Sequence, residues 1–330
     1  MTKVAVYLPK HSYLNEATSY YIDMVCDGLT NEKPNIVYRL SELKKCNCEM
    51  VLVIDAKSLI FVKLRYPTLK VITWYQGVVP EEALMVLGSH IRYIYWSVFE
   101  LISLQLSVLN IFVSGAMKEH YIKKYKYNKN QDIIIPCFNK QLCHESIVEN
   151  KSLSFVYAGS LHKWQCIDRM LSIFKCVQQI EPDATLDFYT FNVDGAQKII
   201  DEFSLKNVKV MSASLDEIDK LISKSKYGFL IRDDHTVNNV ATPTKLSTYL
   251  SVGTKPIVTD VIFDFRKNVD EDAYVRVSWL YSDRKIAELI VADYNRESAF
   301  DSFIIARDEL FKCYLNRNRY VTKLREIMLK

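Results

Sequence analysis

Three loops in this 330-residue sequence carry residues whose types and spacing could do chemistry. The first is Tyr157-Ala158-Gly159-Ser160-Leu161, followed by His162, Lys163 and Trp164. A glycine between strand and helix lets backbone N–H groups approach a phosphate, and the helix dipole adds attraction. Lys163 would add charge and Trp164 a stacking face; a turn glycine with a purely structural job is the alternative. The second loop runs from Gly228–Arg232 to Asn238-Asn239-Val240-Ala241-Thr242-Pro243-Thr244-Lys245. Pro243 suits a helix start. That puts Lys245 in the first turn, where a cation opposes the dipole. An anion in the site would explain such a lysine, so Arg232 and Lys245 read as a diphosphate clamp, or else as two solvated surface cations. The third is Trp74-Tyr75-Gln76-Gly77-Val78-Val79-Pro80-Glu81-Glu82. Paired carboxylates bind sugar hydroxyls or do acid–base chemistry, but acids also favour the first turn of any helix.

Glu100 falls inside the apolar stretch Ile91–Ala116. A buried carboxylate needs a partner, so Glu100 is either paired with a base such as Arg92 or turned toward a cleft. The stretch is broken by Glu100, Gln105 and Asn110, too often for a membrane span of about 20 apolar residues. It reads as a buried helix followed by a strand. The basic run Lys118–Lys129 reads as a solvated helix face, with attraction for anionic headgroups as a second use.

The elements that must hold these loops alternate. Short runs rich in Val and Ile occur at Val4–Leu8, Met50–Ile54, Leu69–Trp74, Asn110–Val113 and Asp132–Ile135, with helix-length segments such as Leu14–Leu29 between most of them. The pattern restarts at Leu153–Tyr157 and continues through Thr185–Tyr189, Val208–Met211, Gly228–Ile231 and Lys255–Thr259, with helical patterns at Ile167–Gln179, Ala196–Phe203, Leu215–Ser223 and Lys245–Ser251. Buried strands alternating with helices predict parallel sheets covered on both faces. We therefore expect an α/β chain of two Rossmann-like domains, 1–145 and 146–305, facing across a cleft. A long amphipathic helix at Ala306–Leu329, within 306–330, would end the chain. Ligands of such sheets sit outside the carboxyl ends of the strands, where the three loops lie.

Composition narrows the classes. Apolar residues at 49% and charged residues at 25% are ordinary for a globular protein. A net charge of +4 shows no strong basic stripe, so no nucleic-acid partner is expected. The cysteines contain no C-x-x-C pair, fitting neither a zinc nor a redox motif, and reduced thiols in a cytoplasmic protein are expected. A P-loop, a G-x-G-x-x-G opening the first helix, G-x-S-x-G and H-E-x-x-H are all missing from the sequence.

In this order the loops resemble the retaining glycosyltransferases of family 4, of GT-B fold, in the branch found in bacterial polysaccharide gene clusters. The resemblance rests on Tyr157 through Trp164, Gly228–Arg232, Asn239 through Leu246, Tyr249-Leu250-Ser251-Val252-Gly253 and Pro256-Ile257-Val258. In the first domain Gln76 through Glu82, Glu100 and Val113-Ser114-Gly115-Ala116-Met117 add to it. It implies transfer of a sugar from a nucleotide-sugar co-substrate, with no bound cofactor and no metal. Donor binding would fall to Gly159, Ser160, Lys163, Trp164, Asn239, Thr242, Pro243 and Thr248, with Arg232 and Lys245 neutralising the leaving diphosphate. Gln76, Gly77 and Glu100 would face the acceptor or donor sugar, with Glu81 and Glu82 as catalytic carboxylates. It further implies an oligosaccharide or lipid-linked acceptor, a role in O-antigen or capsule synthesis, peripheral contact with the inner membrane, and a terminal helix returning to the first domain. Two positions depart from the pattern. The family commonly has two glutamates eight positions apart where this chain has Val240 and Thr248, and often arginine where it has Gln76. Thr248 would hold a ribose hydroxyl more weakly than a carboxylate. A sugar-nucleotide epimerase on the same fold, with Glu81 and Glu82 as its acid–base pair, and a non-catalytic nucleotide-binding partner of a transferase are the other readings.

Overall fold

The computed structural model describes residues 3–10, 14–128, 131–142, 147 and 152–328. It divides into two compact units, one of Met1–Asn139, Val240–Thr242 and Asn316–Lys330, the other of Lys140–Asn239 and Pro243–Leu315. The expected boundary between 145 and 146 lies outside the described residues.

The first unit runs β1 (Val4–Tyr7), α1 (Glu16–Thr30), β2 (Asn35–Val37), α2 (Leu40–Leu43), β3 (Met50–Val53), α3 (Ala56–Arg65), β4 (Lys70–Tyr75), α4 (Val79–Leu87), α5 (His90–Leu106), β5 (Leu109–Phe112), α6 (Gly115–Tyr125) and β6 (Asp132–Ile134). Its sheet has the order β2-β1-β3-β4-β5-β6. The second unit runs β7 (Ser154–Ala158), α7 (Ile167–Ile180), β8 (Thr185–Tyr189), α8 (Val193–Phe203), β9 (Val208–Met211), α9 (Leu215–Ile222), β10 (Tyr227–Leu230), α10 (Thr236–Asn239), α11 (Lys245–Ser251), β11 (Lys255–Thr259), α12 (Phe263–Asn268), β12 (Val275–Val277), α13 (Asp283–Tyr294) and α14 (Ala299–Cys313). Its sheet has the order β12-β11-β10-β7-β8-β9. Every strand pair in both sheets is parallel. β1, β3, β5, β10 and β11 are buried at every position. That is why they read in sequence as largely apolar runs rather than as alternation.

The ends of the helices follow from local chemistry. Asn15, Asp55, Ser89, Ser114 and Asn192 each accept a backbone hydrogen bond from the first turn of their helix, satisfying donors that have no partner inside it. Two expectations need correction. The single helix over Ala306–Leu329 is two, because α14 stops at Cys313 and α15 (Arg317–Met328) starts afresh. Tyr314 and Leu315 at the break are buried, and the Asn316 side chain accepts from the Arg319 N–H at 3.1 Å, restarting the helix as a cap does. The apolar stretch that was to be a buried helix is α5, and it is mostly open. Its only buried residues are Glu100, Ser103 and Leu104. The sheet beneath offers polar side chains: Tyr75 Oη and Ser103 Oγ share a 2.9 Å hydrogen bond, and Thr73 Oγ1 and Ser107 Oγ one of 2.6 Å. A polar inner face therefore leaves the apolar one outside.

The terminal helix α15 returns to the first unit and packs along α1. Asp27 holds Arg317 at 2.7 Å and Arg325 at 2.8 Å, and Gly28 sits so close that an added Cβ would lie 2.6 Å from Leu324 Cβ. Gly to Ala inside a helix normally gains about 1 kcal/mol. Here the obstructing atom is next to the backbone and cannot swing aside, so overpacking of about 1–3 kcal/mol should win. Gly28→Ala should lower the denaturant midpoint; a raised midpoint would show that the two helices do not meet this closely.

Candidate functional site

The chemistry-bearing loops of the second unit leave the sheet at its topological switch point. Strand order reverses between β7 and β10, which pair directly. Gly159 directly follows β7, and Arg232 follows β10 after one intervening residue, Ile231. This is the crevice where open α/β sheets hold ligands. Arg232 is 4% exposed. Its N–H donates to Thr259 Oγ1 at 2.9 Å and its Nη1 to the Ile231 carbonyl at 3.1 Å. Lys245 opens α11 and keeps some surface, yet its ammonium is withdrawn. Nζ lies 3.8 Å from the Tyr157 ring centroid and donates to Gln165 Oε1 at 2.8 Å. A Cβ on Gly159 would come within 2.6 Å of it, and Gly159 has φ +156°. Only glycine leaves this ammonium its place over the loop.

The sequence left open whether Arg232 and Lys245 form a clamp or a solvated surface. They are not solvated surface cations. Burial, then the positive charge of Arg232, pull Lys245 well below the ordinary lysine range, and burial lowers Arg232 too. Among the described residues no carboxylate forms an ion pair with either. Two neighbouring, desolvated, unneutralised cations make a strong site for a polyanion.

The remaining residues of this set divide. Ser160 accepts the Tyr157 hydroxyl on its carbonyl at 2.6 Å, which fixes the loop. Trp164 stacks on His162 at 4.5 Å beside the exposed Lys163. Asn239 donates to Asp234 Oδ1 and to the Val261 carbonyl. Pro243 precedes α11 by two residues. Thr242 is occupied in the first unit, where its hydroxyl donates to the Val113 carbonyl at 3.1 Å and accepts from the Cys137 N–H at 2.9 Å. It fixes backbone there and has no hydroxyl proton left for a ligand. The Thr248 hydroxyl donates to the Thr244 carbonyl within its own helix. Gln165 and Thr259, which hold the two cations in place, carry no sequence signal.

The first unit has its own cavity, of about 360 Å³, lined among others by Gln76, Gly77, Glu82, Trp96 and Glu100. β4 delivers Gln76 and Gly77 at its carboxyl end, the first turn of α4 delivers Glu82, and α5 delivers Trp96 and Glu100. The paired carboxylates separate here. Glu81 is buried and does not line the cavity; its Oε1 lies 3.0 Å from His120 Nε2 and 2.7 Å from Lys124 Nζ. Burial opposes its charge, but the hydrogen bonds from His120 and Lys124 outweigh burial and hold it below the usual range. Glu81, expected as a catalytic carboxylate, is thus engaged by His120 and Lys124 outside the cavity. Glu82 lines the cavity with its carboxylate against Gly77, and burial, then the Glu81 charge, raise its pKa. Glu100 is paired, though not with Arg92. It accepts from Tyr121 at 3.0 Å and Tyr125 at 2.7 Å, and Lys124 lies 3.4 Å away. The basic run is likewise not a simple solvated face, since Lys118 pairs with Asp132 at 2.8 Å and Lys124 joins both glutamates. Lys129 lies outside the described residues. Asp55, which also lines the cavity while capping α3, was not visible as a site residue in sequence.

No family model matches the sequence, and no curated protein matches it. Solved structures do match in fold. TarM of S. aureus, in complex with fondaparinux, alpha-GlcNAc-glycerol and UDP, superposes with TM-score 0.70 at 11% identity over 88% of this chain and 58% of TarM. Against TarM the chain thus spans less than two thirds of the other protein's length. WaaG, a glycosyltransferase involved in lipopolysaccharide biosynthesis, superposes with TM-score 0.70 at 10% identity, covering 98% of this chain and 99% of WaaG. Anabaena HepE, in complex with UDP-glucose, gives TM-score 0.76 at 8% identity over the whole of both chains.

Burial, against the Lys124 charge, raises the Glu100 carboxyl from 4.5 to about 7. With the folded value above the unfolded one, the stability it confers is complete below about pH 4.5 and lost as pH rises through about 7. Glu100→Gln keeps an acceptor for one tyrosine, turns an amide donor toward the hydroxyl oxygen of the other, and removes that loss. Its melting temperature relative to wild type should therefore climb from about pH 5 to about pH 8, by about 2–4 °C per kcal/mol. A difference flat in pH would show that Glu100 is ionised throughout. What the superpositions share with this chain at such low identity is the arrangement of its two parallel sheets and their helices, and the chain has the GT-B fold of two Rossmann-like domains.

Proposed function

We propose that this chain is a metal-independent glycosyltransferase. It moves a sugar, with retention of configuration, from a nucleotide-sugar donor to a glycan acceptor carried on a lipid, in the synthesis of a bacterial O-antigen or capsule. The observation that carries the reading is the pair of unneutralised cations at the switch point of the second unit. A nucleoside diphosphate is the leaving group of such a reaction. As the bond from the anomeric carbon to the phosphate oxygen breaks, negative charge grows on the diphosphate. Arg232 and Lys245 are already desolvated and fixed, so they stabilise that charge without reorganising. The Gly159–Ser160 backbone lies against Lys245 and would take the phosphate oxygens. In the first unit, Glu82 and Gln76 would hold sugar hydroxyls, as side chains lining the cavity can. Retention and the polysaccharide role rest on the family-4 resemblance of the loops. WaaG, a glycosyltransferase involved in lipopolysaccharide biosynthesis, supports the latter.

Uridine nucleotides are the first to test, since the TarM and HepE structures hold UDP and UDP-glucose. A nucleotide bound at about 100 times its dissociation constant should raise stability by about 2.7 kcal/mol. With the donor so identified, Arg232→Ala and Lys245→Ala should each cut transfer about 10²–10³-fold. Wild-type turnover in both would refute the clamp. A donor converted without any acceptor would point to an epimerase, and binding never followed by transfer to a non-catalytic partner.

Lys245 gives a second, independent readout. Its pKa is depressed in the free protein and should rise when a diphosphate neutralises the site. Binding should therefore take up a proton, and affinity should fall as pH rises. Calorimetric heats of UDP binding should depend on the buffer's ionisation enthalpy, and Lys245→Met should abolish the dependence. Heats indifferent to buffer would mean that Lys245 carries its full charge before the ligand arrives.

A further inference from the structure

The cavity of the first unit carries its charge unevenly. At about 360 Å³ it falls in the range that holds a small ligand. The carboxylates of Asp55, Glu82 and Glu100 line it, and its described lining includes no lysine, arginine or histidine. The cations of the neighbourhood are placed elsewhere. Lys124 pairs with Glu81 at 2.7 Å and with Glu100 at 3.4 Å, and His120 lies 3.0 Å from Glu81. Lys57 Nζ stands 5.8 Å from the Trp96 ring centroid. Among the described residues no ion pair reaches Asp55 or Glu82.

These two carboxylates are nevertheless held in place. Asp55 caps α3, its Oδ1 accepting the Ser58 N–H at 2.7 Å and its Oδ2 the Ser58 hydroxyl at 2.6 Å. An ionised carboxylate has about four lone-pair sites, so about two stay open for a ligand. Glu82 comes from the first turn of α4, and its carboxylate has no hydrogen-bond partner among the described residues. A Cβ on Gly77 would overlap its Oε1, so the glycine leaves the carboxylate its place. Burial, then the Glu81 charge, disfavour its ionised form, and a positive charge brought into the cavity would favour it again. Trp96 supplies the other half of the recognition. An indole face packs against the C–H face of a sugar ring and attracts a cation. An ammonium has three donors, which suits acceptors presented by two different helices. A carboxylate on the ligand would instead meet like charge.

We infer that this cavity selects its sugar by charge. It takes a ring with a free amino group ahead of a neutral ring and turns away a ring with a carboxylate, Asp55 and Glu82 receiving the ammonium and Trp96 the ring. The inference rests on the reading of the first unit as a sugar site and gives that site a substrate class, amino sugars.

NMR titration of the full chain tests it, near neutral pH and with no nucleotide present, using the methyl glycosides of glucosamine, glucose and glucuronic acid. Only binding that Trp96→Ala removes is assigned to the cavity, so a glycoside held at Arg232 and Lys245 does not count. The glucosaminide should bind about tenfold or more tighter than the glucoside, as a hydrogen bond between charged groups provides, and the glucuronide should show no binding of this kind. Glu82→Gln keeps the shape of the side chain, and Asp55→Asn keeps a good helix cap. Each should lower the preference for the amine about threefold or more, and the double variant should erase it. If either variant fails to fold, the order of the three glycosides on the wild-type chain still decides. Equal affinity for amine and neutral ring, a glucuronide bound in the cavity, no glycoside bound at all, or a preference that both variants leave intact overturns the inference. No donor is present, so the two readings fail separately. Transfer by a chain without this preference sinks only the charge selection, and the preference in a chain that transfers nothing sinks only the transferase.

Discussion

Two basic side chains, Arg232 and Lys245, that no carboxylate of the described residues engages in an ion pair set the terms for the second unit. Arg232 and Lys245 stand close enough for the charge of one to depress the pKa of the other, and like charges in a poorly solvated setting repel strongly. A fold selected only for stability would place a carboxylate there or turn the lysine out to water. Instead the surroundings hold both cations in place. Thr259 fixes the Arg232 backbone, Gln165 and the Tyr157 ring hold the Lys245 ammonium, and Gly159 gives up a side chain to make room. Electrostatic strain with this much support is the kind of feature that a binding site retains. On the proposed reading, a diphosphate would supply the opposing charge.

The first unit solves the opposite problem. Glu81, Glu82 and Glu100 crowd one region, and Lys124 is placed between Glu81 and Glu100 to make two of the three tolerable. The tyrosines of α6 donate to what remains of the Glu100 carboxylate. Glu82 alone takes no share of that cation, which leaves it available in the cavity. The arrangement separates an ion-paired acid, Glu81, from one that lines the cavity, Glu82, although they are adjacent in sequence. Helical geometry allows this, because consecutive side chains point about 100° apart around the axis.

The architecture was legible because buried parallel strands write themselves as short Val- and Ile-rich runs. β7, α11 and β11 fall where periodicity put them, whereas β2 and β12, of three residues each at the two sheet edges, are too short to show a pattern. The loops were legible because glycine, proline and charge at strand ends are conspicuous. Which members of a loop face a ligand was not, since that depends on partners distant in sequence. Thr242 is bound to Val113 and Cys137, more than a hundred residues away, and Glu81 to His120 and Lys124. No local spacing reports either. The absence of the acid expected at Thr248 was visible, and the structure deepens it, because that hydroxyl is already used within its own helix.

The α5 error has a different cause. Apolar composition measures what a segment gains by leaving water, and says nothing about which phase receives it. Burial in the protein was the default reading, but the inner side of α5 had to be polar. It faces Thr73 and Tyr75 on the sheet and contributes Glu100 to the cavity. Once those positions are spent on Glu100, Ser103 and Ser107, the apolar residues of the same helix can only point outward. A carboxyl-bearing cavity on one side of a helix and an apolar surface on the other are therefore one constraint seen from two sides. The residues that build the cavity leave the apolar remainder of α5 facing outward.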